Sequence, residues 1–213
     1  MNEKLISLIV GVFVVLVCLP VHEAAHAFAA NRLGDDTARN MGRLTLNPIK
    51  HIDPIGAVML IMSSLVGFGF GWAKPVPINP NNFKNRKLGM GLSALAGPVS
   101  NFLMAYIFMV AMKLTVVFGG SPPVVMFLYY AVLLNIGLAV FNFLPIPPLD
   151  GSRIVLLVLP EKTYFGIMKY EKIIAGVLMI LILSGILSPA IGFLNGGMNK
   201  LLDILTGYLG RIY

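Results

Sequence analysis

The stretch HEAAH at residues 22–26 sets His22 and His26 four apart, with Glu23 directly after the first. On a helix, residues four apart share a face, so both imidazoles can bind one metal ion. Glu23, one position round, can hold a water molecule and take its proton. Two of the chain's three histidines fall in this motif. Interfacial or helix-capping histidines beside an acid are the plainer reading, but ionisable groups inside an apolar helix are expensive and mark function. Catalytic zinc takes three protein ligands and leaves a fourth position open. The candidates for the third are His51, Asp53, Asp150, Glu161 and Glu171.

The surrounding composition says where this chemistry sits. Of 213 residues, 57% are hydrophobic and only 12% charged, and the mean hydropathy is +0.85. Soluble domains carry about 25% charged residues. Apolar blocks at 5–21, 55–71, 88–118, 124–144 and 173–194 approach or exceed the roughly 20 residues that cross a bilayer. The expected class is an all-α polytopic membrane protein with about four to six transmembrane helices. The net charge of +7 comes from dispersed Lys and Arg between the blocks. Such residues act as membrane anchors and topology signals, and no basic cluster with interleaved aromatics speaks for nucleic acid. The single cysteine, Cys18, excludes an intrachain disulfide. The twelve methionines read as packing or lipid-facing residues.

The first helix is expected from Leu5 to about Asn31, retained rather than cleaved as a signal peptide, with Pro20 as its kink. His22 then lies roughly 25 Å from Leu5, near the far edge of the hydrocarbon. Loops 31–54, 73–87 and 145–172 carry Arg32, Arg39, Arg43, Lys50, Lys74, Lys84, Arg86, Lys87, Arg153, Lys162, Lys169 and Lys172. The turn at 119–123 carries no charge. Positive-inside bias places the loops in the cytoplasm and the turn outside. Block 55–71, which opens on Pro54-Ile55-Gly56 and ends Gly67-Phe68-Gly69-Phe70-Gly71, should therefore enter and return as a re-entrant segment. Block 173–194 reads as the last span, and 198–209 as a short amphipathic helix at the interface.

This arrangement selects among the acids. Block 124–144 ends on the side where the first helix brings His22 and His26, and Asp150 follows six residues later. Pro145, Pro147 and Pro148 stop the helix, and Gly151 is expected to let the backbone turn sharply after the aspartate. An ordinary Asp-Gly turn capping a helix at 152–160 is the alternative. His51 and Asp53, between prolines in NPIKHIDPIG, read as hydrogen-bonding groups of a turn. Asn101 and Asn135 are intramembrane amides that can bond between helices.

HEAAH on an early membrane helix, AGPVSN at 96–101 and NFLPIPPLDG at 142–151 together resemble the site-2 protease family of intramembrane zinc metalloproteases. LTLNPIKHIDPIG (44–56) and GWAKPVPINP (71–80) are similar to its compact prokaryotic branch. The resemblance implies a single membrane-embedded domain over 1–213 and one zinc on His22, His26 and Asp150, with Glu23 as general base. It also implies that Asn142 contacts the substrate strand or the developing oxyanion, and that Asn101 lies near the active site. Unlike larger members of the family, the chain is expected to have no helix ahead of the histidine motif and no PDZ-like or CBS-like appendage.

The expected function is hydrolysis of peptide bonds in membrane-spanning proteins, in the cell membrane with the active site near the cytoplasmic side. The expected partners are a transmembrane protein or peptide substrate and the lipid bilayer. A metal-ion transporter or a catalytically silent scaffold are the rival readings. The transporter would need neither a Glu directly after the first His nor a site at one boundary.

Overall fold

The computed structural model of the chain describes residues 9–56, 58 and 73–210. Helix α1, Ile9–Arg32, passes through a π turn at Val14–Cys18 before its α-helical part Leu19–Arg32. Pro20 has no N–H to donate, and just ahead of it the Leu19 N–H reaches back to the Val14 carbonyl. The expected irregularity is therefore a widened turn before the proline. Gly34, at φ +108°, ends α1. Asp35 N–H returns to the Ala30 carbonyl and Gly34 N–H to the Asn31 carbonyl, a Schellman closure in which glycine takes the left-handed position without a Cβ clash.

A one-turn helix, Thr37–Asn40, leads to a loop whose ends meet. Ile52 and Ala73 form an antiparallel bridge, and Lys74 N–H donates to the His51 carbonyl at 2.8 Å. The segment expected to be re-entrant, 55–71, lies almost entirely outside the described residues, but its two flanks stand side by side. The chain then reaches α2, Arg86–Val117, which Asn85 caps by accepting from Leu88 N–H. After the Gly119–Gly120 turn, α3 runs Pro122–Phe143 with two prolines in its first turn, where no N–H is missed. It stops at Leu144, which Pro145 forces into extended backbone.

α2 is the axis of the molecule, packed along α1 on one side and α3 on the other. Ala105, Met109, Met112, Val132, Ile136 and Val140 form one core cluster, and Val10, Val14, Cys18 and Ala131 a second. Alanines at these contacts let the helix backbones approach closely, as helices in lipid do. Outward-facing Phe118, Ile173, Ile180 and Phe193 are exposed, as expected of surfaces that meet acyl chains.

The C-terminal part departs from the expectation of one straight span at 173–194. After α4 (Asp150–Ile154) and α5 (Glu161–Met168), α6 covers Glu171–Leu183 and α7 covers Ser188–Leu205. α6 and α7 meet at 84°. Gly185 takes φ +75°, and Pro189 cannot extend a helix through its ring and missing N–H. The amphipathic segment expected at 198–209 is largely the end of α7. Among the described residues, three helices are long and apolar enough to cross a membrane, and four if the bent pair counts as one span.

Candidate metal centre

α1 carries His22, Glu23 and His26 on its buried side, at 5%, 9% and 6% exposure. The end of α3 and its proline loop deliver Asp150 to the same place. His22 Nε2 and His26 Nε2 lie 3.0 Å apart. Asp150 Oδ2 is 3.3 Å from the first and 3.2 Å from the second. Among the described residues this is the one group of three such side chains close enough to hold an ion.

Hydrogen bonds on the far side of each ring state what these atoms can do. His26 Nδ1 donates to the Ser93 carbonyl at 2.7 Å; a carbonyl only accepts, so the proton sits on Nδ1 and Nε2 keeps its lone pair. His22 Nδ1 donates to Asn101 Oδ1 in the same sense. Two bare nitrogens thus face a carboxylate oxygen that is buried without a hydrogen-bond partner. Three acceptors in contact demand a positive charge between them. Tetrahedral zinc with bonds near 2.0–2.1 Å holds its ligand atoms about 3.3 Å apart, which this set matches. A carboxylate holds a metal ion in its ionised form.

Two glycines make the approach possible. A Cβ on Gly97 would lie 2.3 Å from His26 Nε2 and 2.6 Å from His22 Cε1, so α2 touches the imidazoles with bare backbone. Pro98, next in the same turn, lacks the N–H that would bond Ala94 and loosens the ladder there. Gly151 serves differently from the sharp turn expected of it. It has no positive φ; a Cβ there would strike the Phe143 and Leu144 carbonyls at 2.3 Å. Its lack of a side chain lets α4 pack directly on the end of α3.

Glu23 lies outside the three-residue group and accepts from the Val76 N–H at 3.0 Å. Val76 packs with Ala27 and Ala38, so the stretch after Ala73 runs along the acid. Asn101 lies against the histidine pair, its oxygen accepting from His22 Nδ1. Asn142 donates to the Leu138 carbonyl of its own helix at 3.0 Å. His51 donates to the Thr45 carbonyl and Asp53 accepts from Gly56 N–H, both bonds within the turn. Gly97 and the Ser93 carbonyl escaped the sequence reading, although the Gly-Pro of AGPVSN was a signal for a tight helix contact.

Residues 120–185, which include Asp150, match the description Peptidase family M50. The protein named "Putative zinc metalloprotease YwhC" of Bacillus subtilis (strain 168) is 36% identical over 202 residues, covering 92% of this chain and 90% of its own. The chain belongs to peptidase family M50, the site-2 zinc metalloproteases. A second relative of this M50 peptidase, "Putative zinc metalloprotease Rip2" of Mycolicibacterium smegmatis, is 35% identical over 153 residues, 67% of this chain and 56% of that protein. No solved structure matches the chain. Membership makes this membrane protein a metalloprotease.

Proposed function

We propose that the protein is an intramembrane endopeptidase that holds one zinc ion per chain on His22, His26 and Asp150 and cleaves membrane-spanning substrates near the cytoplasmic face. The observation that carries this reading is the convergence of two lone-pair nitrogens of a membrane helix and an orphaned carboxylate oxygen, with Glu23 next to His22 in the same helix. Zinc, when bound, polarises the scissile carbonyl and makes water acidic enough to lose a proton near neutral pH. Glu23 Oε2 is held by the Val76 N–H; Oε1 takes the proton of the attacking water and returns it to the leaving amine. The substrate helix must unwind first, because its carbonyls are otherwise hydrogen-bonded, and an extended strand suits the backbone after Ala73. Asn142 Nδ2 gives one N–H to Leu138, which leaves its second N–H and Oδ1 to meet the substrate strand or the developing oxyanion. The same loop charges that set the topology put the site on the cytoplasmic side of the cell membrane.

The test is a proteolysis assay in detergent or vesicles with zinc measured on the same samples. Glu23→Gln should lower cleavage by about a hundredfold or more while retaining about one zinc per chain. Cleavage near the wild-type rate would remove Glu23 as base. Purification without chelators yielding metal-free protein would remove the ligand set.

A further inference from the structure

His26 takes its proton position directly from a backbone carbonyl, but His22 does not. Its Nδ1 meets a side-chain amide, Asn101, which could present either end. With the amide reversed, Nδ1 would accept, the proton would move to Nε2, and that N–H would satisfy Asp150 in the metal-free protein. Such a site would close on itself and offer no lone pair. Something must hold the Asn101 amide against that outcome.

The bonds behind Asn101 supply it. Asn101 Nδ2 donates to Asn135 Oδ1 at 3.1 Å. Asn135 Nδ2 donates in turn to the Ala131 carbonyl at 2.8 Å, and lies 3.3 Å from Cys18 Sγ. The Ala131 carbonyl cannot reverse its role, since it has no proton to give. Reversing Asn135 would press its oxygen on that carbonyl; reversing Asn101 alone would oppose two amide oxygens. Both amides are 0% exposed, so no water relieves either conflict, and unmatched polar contacts in a low-dielectric interior are costly. The chain of bonds runs one way, from a fixed carbonyl in α3 through one amide of α3 and one of α2 to the imidazole of α1.

We propose that Asn135 is a positioning residue for the metal centre. Through Asn101 it fixes the proton of His22 on Nδ1 and keeps Nε2 bare. This rests on the ligand role of His22 proposed above. Asn135 touches neither the imidazole nor the metal position; its influence passes through the orientation of one amide. Outer partners of metal-binding histidines change metal affinity by about 10- to 100-fold, and Asn135 belongs with them although it stands one residue further out.

The experiment is zinc affinity of the purified apoprotein in detergent, by competition with a chromogenic chelator. Asn135→Leu keeps the volume but removes both polar ends, and should weaken binding by about tenfold or more. Asn101→Asp presents only acceptor oxygens to His22, so it needs no guidance from residue 135. The double variant Asn101→Asp with Asn135→Leu should therefore recover wild-type affinity, which a packing defect at residue 135 would not allow. Unchanged affinity in Asn135→Leu, or a double variant as weak as the single one, overturns the proposal. NMR of the wild-type apoprotein labelled with 15N-histidine gives a readout independent of any variant: His22 protonated at Nδ1 is expected, and at Nε2 the proposal falls. His22→Ala, run beside these, should lose zinc. If it binds like wild type, the ligand reading itself fails, whatever the amides do.

Discussion

Gly97 has the most specific consequence for a single residue. A methyl group there meets the rings of both His22 and His26 inside 2.7 Å, and α2 cannot retreat without losing its packing on α1. Gly97→Ala should push the imidazoles apart, lowering zinc content about tenfold or more with helical content by circular dichroism unchanged. Metal analysis showing full occupancy would mean the rings have room that the contact distances deny. The pairing of His22 with His26 was readable from sequence because helical spacing alone sets their common face, with Glu23 one position round. Asp150 was readable because the topology carries it to the same depth. Gly97 was not, because its role depends on which face of α2 meets α1, and no periodicity within α2 carries that information. Asn101 was placed near the centre by its motif, while its bond to His22 waited on the same packing.

Among the elements, the corner after α1 governs where Glu23 finds its partner. Asp35, 0% exposed, accepts from the Thr37 N–H and hydroxyl, from Asn79 N–H at 2.7 Å and from Asn82 Nδ2 at 2.7 Å. It ties the end of α1 to the stretch that carries Val76. Burial raises its carboxyl, but these donors outweigh that and hold it below the usual range. A depressed folded-state value contributes stability that is present above the ordinary carboxylate range and disappears as pH falls through the lower value. Asp35→Asn places an amide among donors and should cost about 1–3 kcal/mol locally, seen as faster hydrogen exchange at Asn79 and Thr37. The same acceleration should appear in the wild type only at strongly acid pH; equal protection in both at neutral pH would show that the corner holds without its anion. The break between α6 and α7 shows what hydropathy hides at this scale. The apolar run is continuous across Ser184–Leu187, so length argued for one span, while Gly185 and Pro189 were the only local marks of the bend.

At the scale of the molecule, α7 is held to the bundle by a buried charge. Lys113, 1% exposed near the end of α2, lies 2.6 Å from Asp203 of α7, and Leu202 beside it enters the main core cluster. Removing Asp203, whose side chain is 38% exposed, takes away the close acceptor and leaves the ammonium with the Thr206 carbonyl at 3.5 Å, a change of about 1 kcal/mol for a pair partly open to solvent. Asp203→Ala should lower the melting temperature in detergent and expose the C-terminal helix to protease, and Lys113→Met in the same background should recover part of the loss. Equal stability of Asp203→Ala and wild type would assign the docking of α7 to Leu202 and its neighbours alone.

The delivery of Asp150 by the far end of α3 also sets an order in time. A ribosome adds about 5–20 residues per second, so the two histidines exist for on the order of ten seconds before their carboxylate partner is made. In that interval α2 and α3 have yet to cross the membrane and turn back. On the proposed ligand set, zinc cannot be gripped by three protein atoms until the loop beyond α3 has come to rest beside α1. The ion is therefore captured by an inserted, folded bundle and not by the nascent first helix, so a half-made chain in the membrane is a protease without a blade.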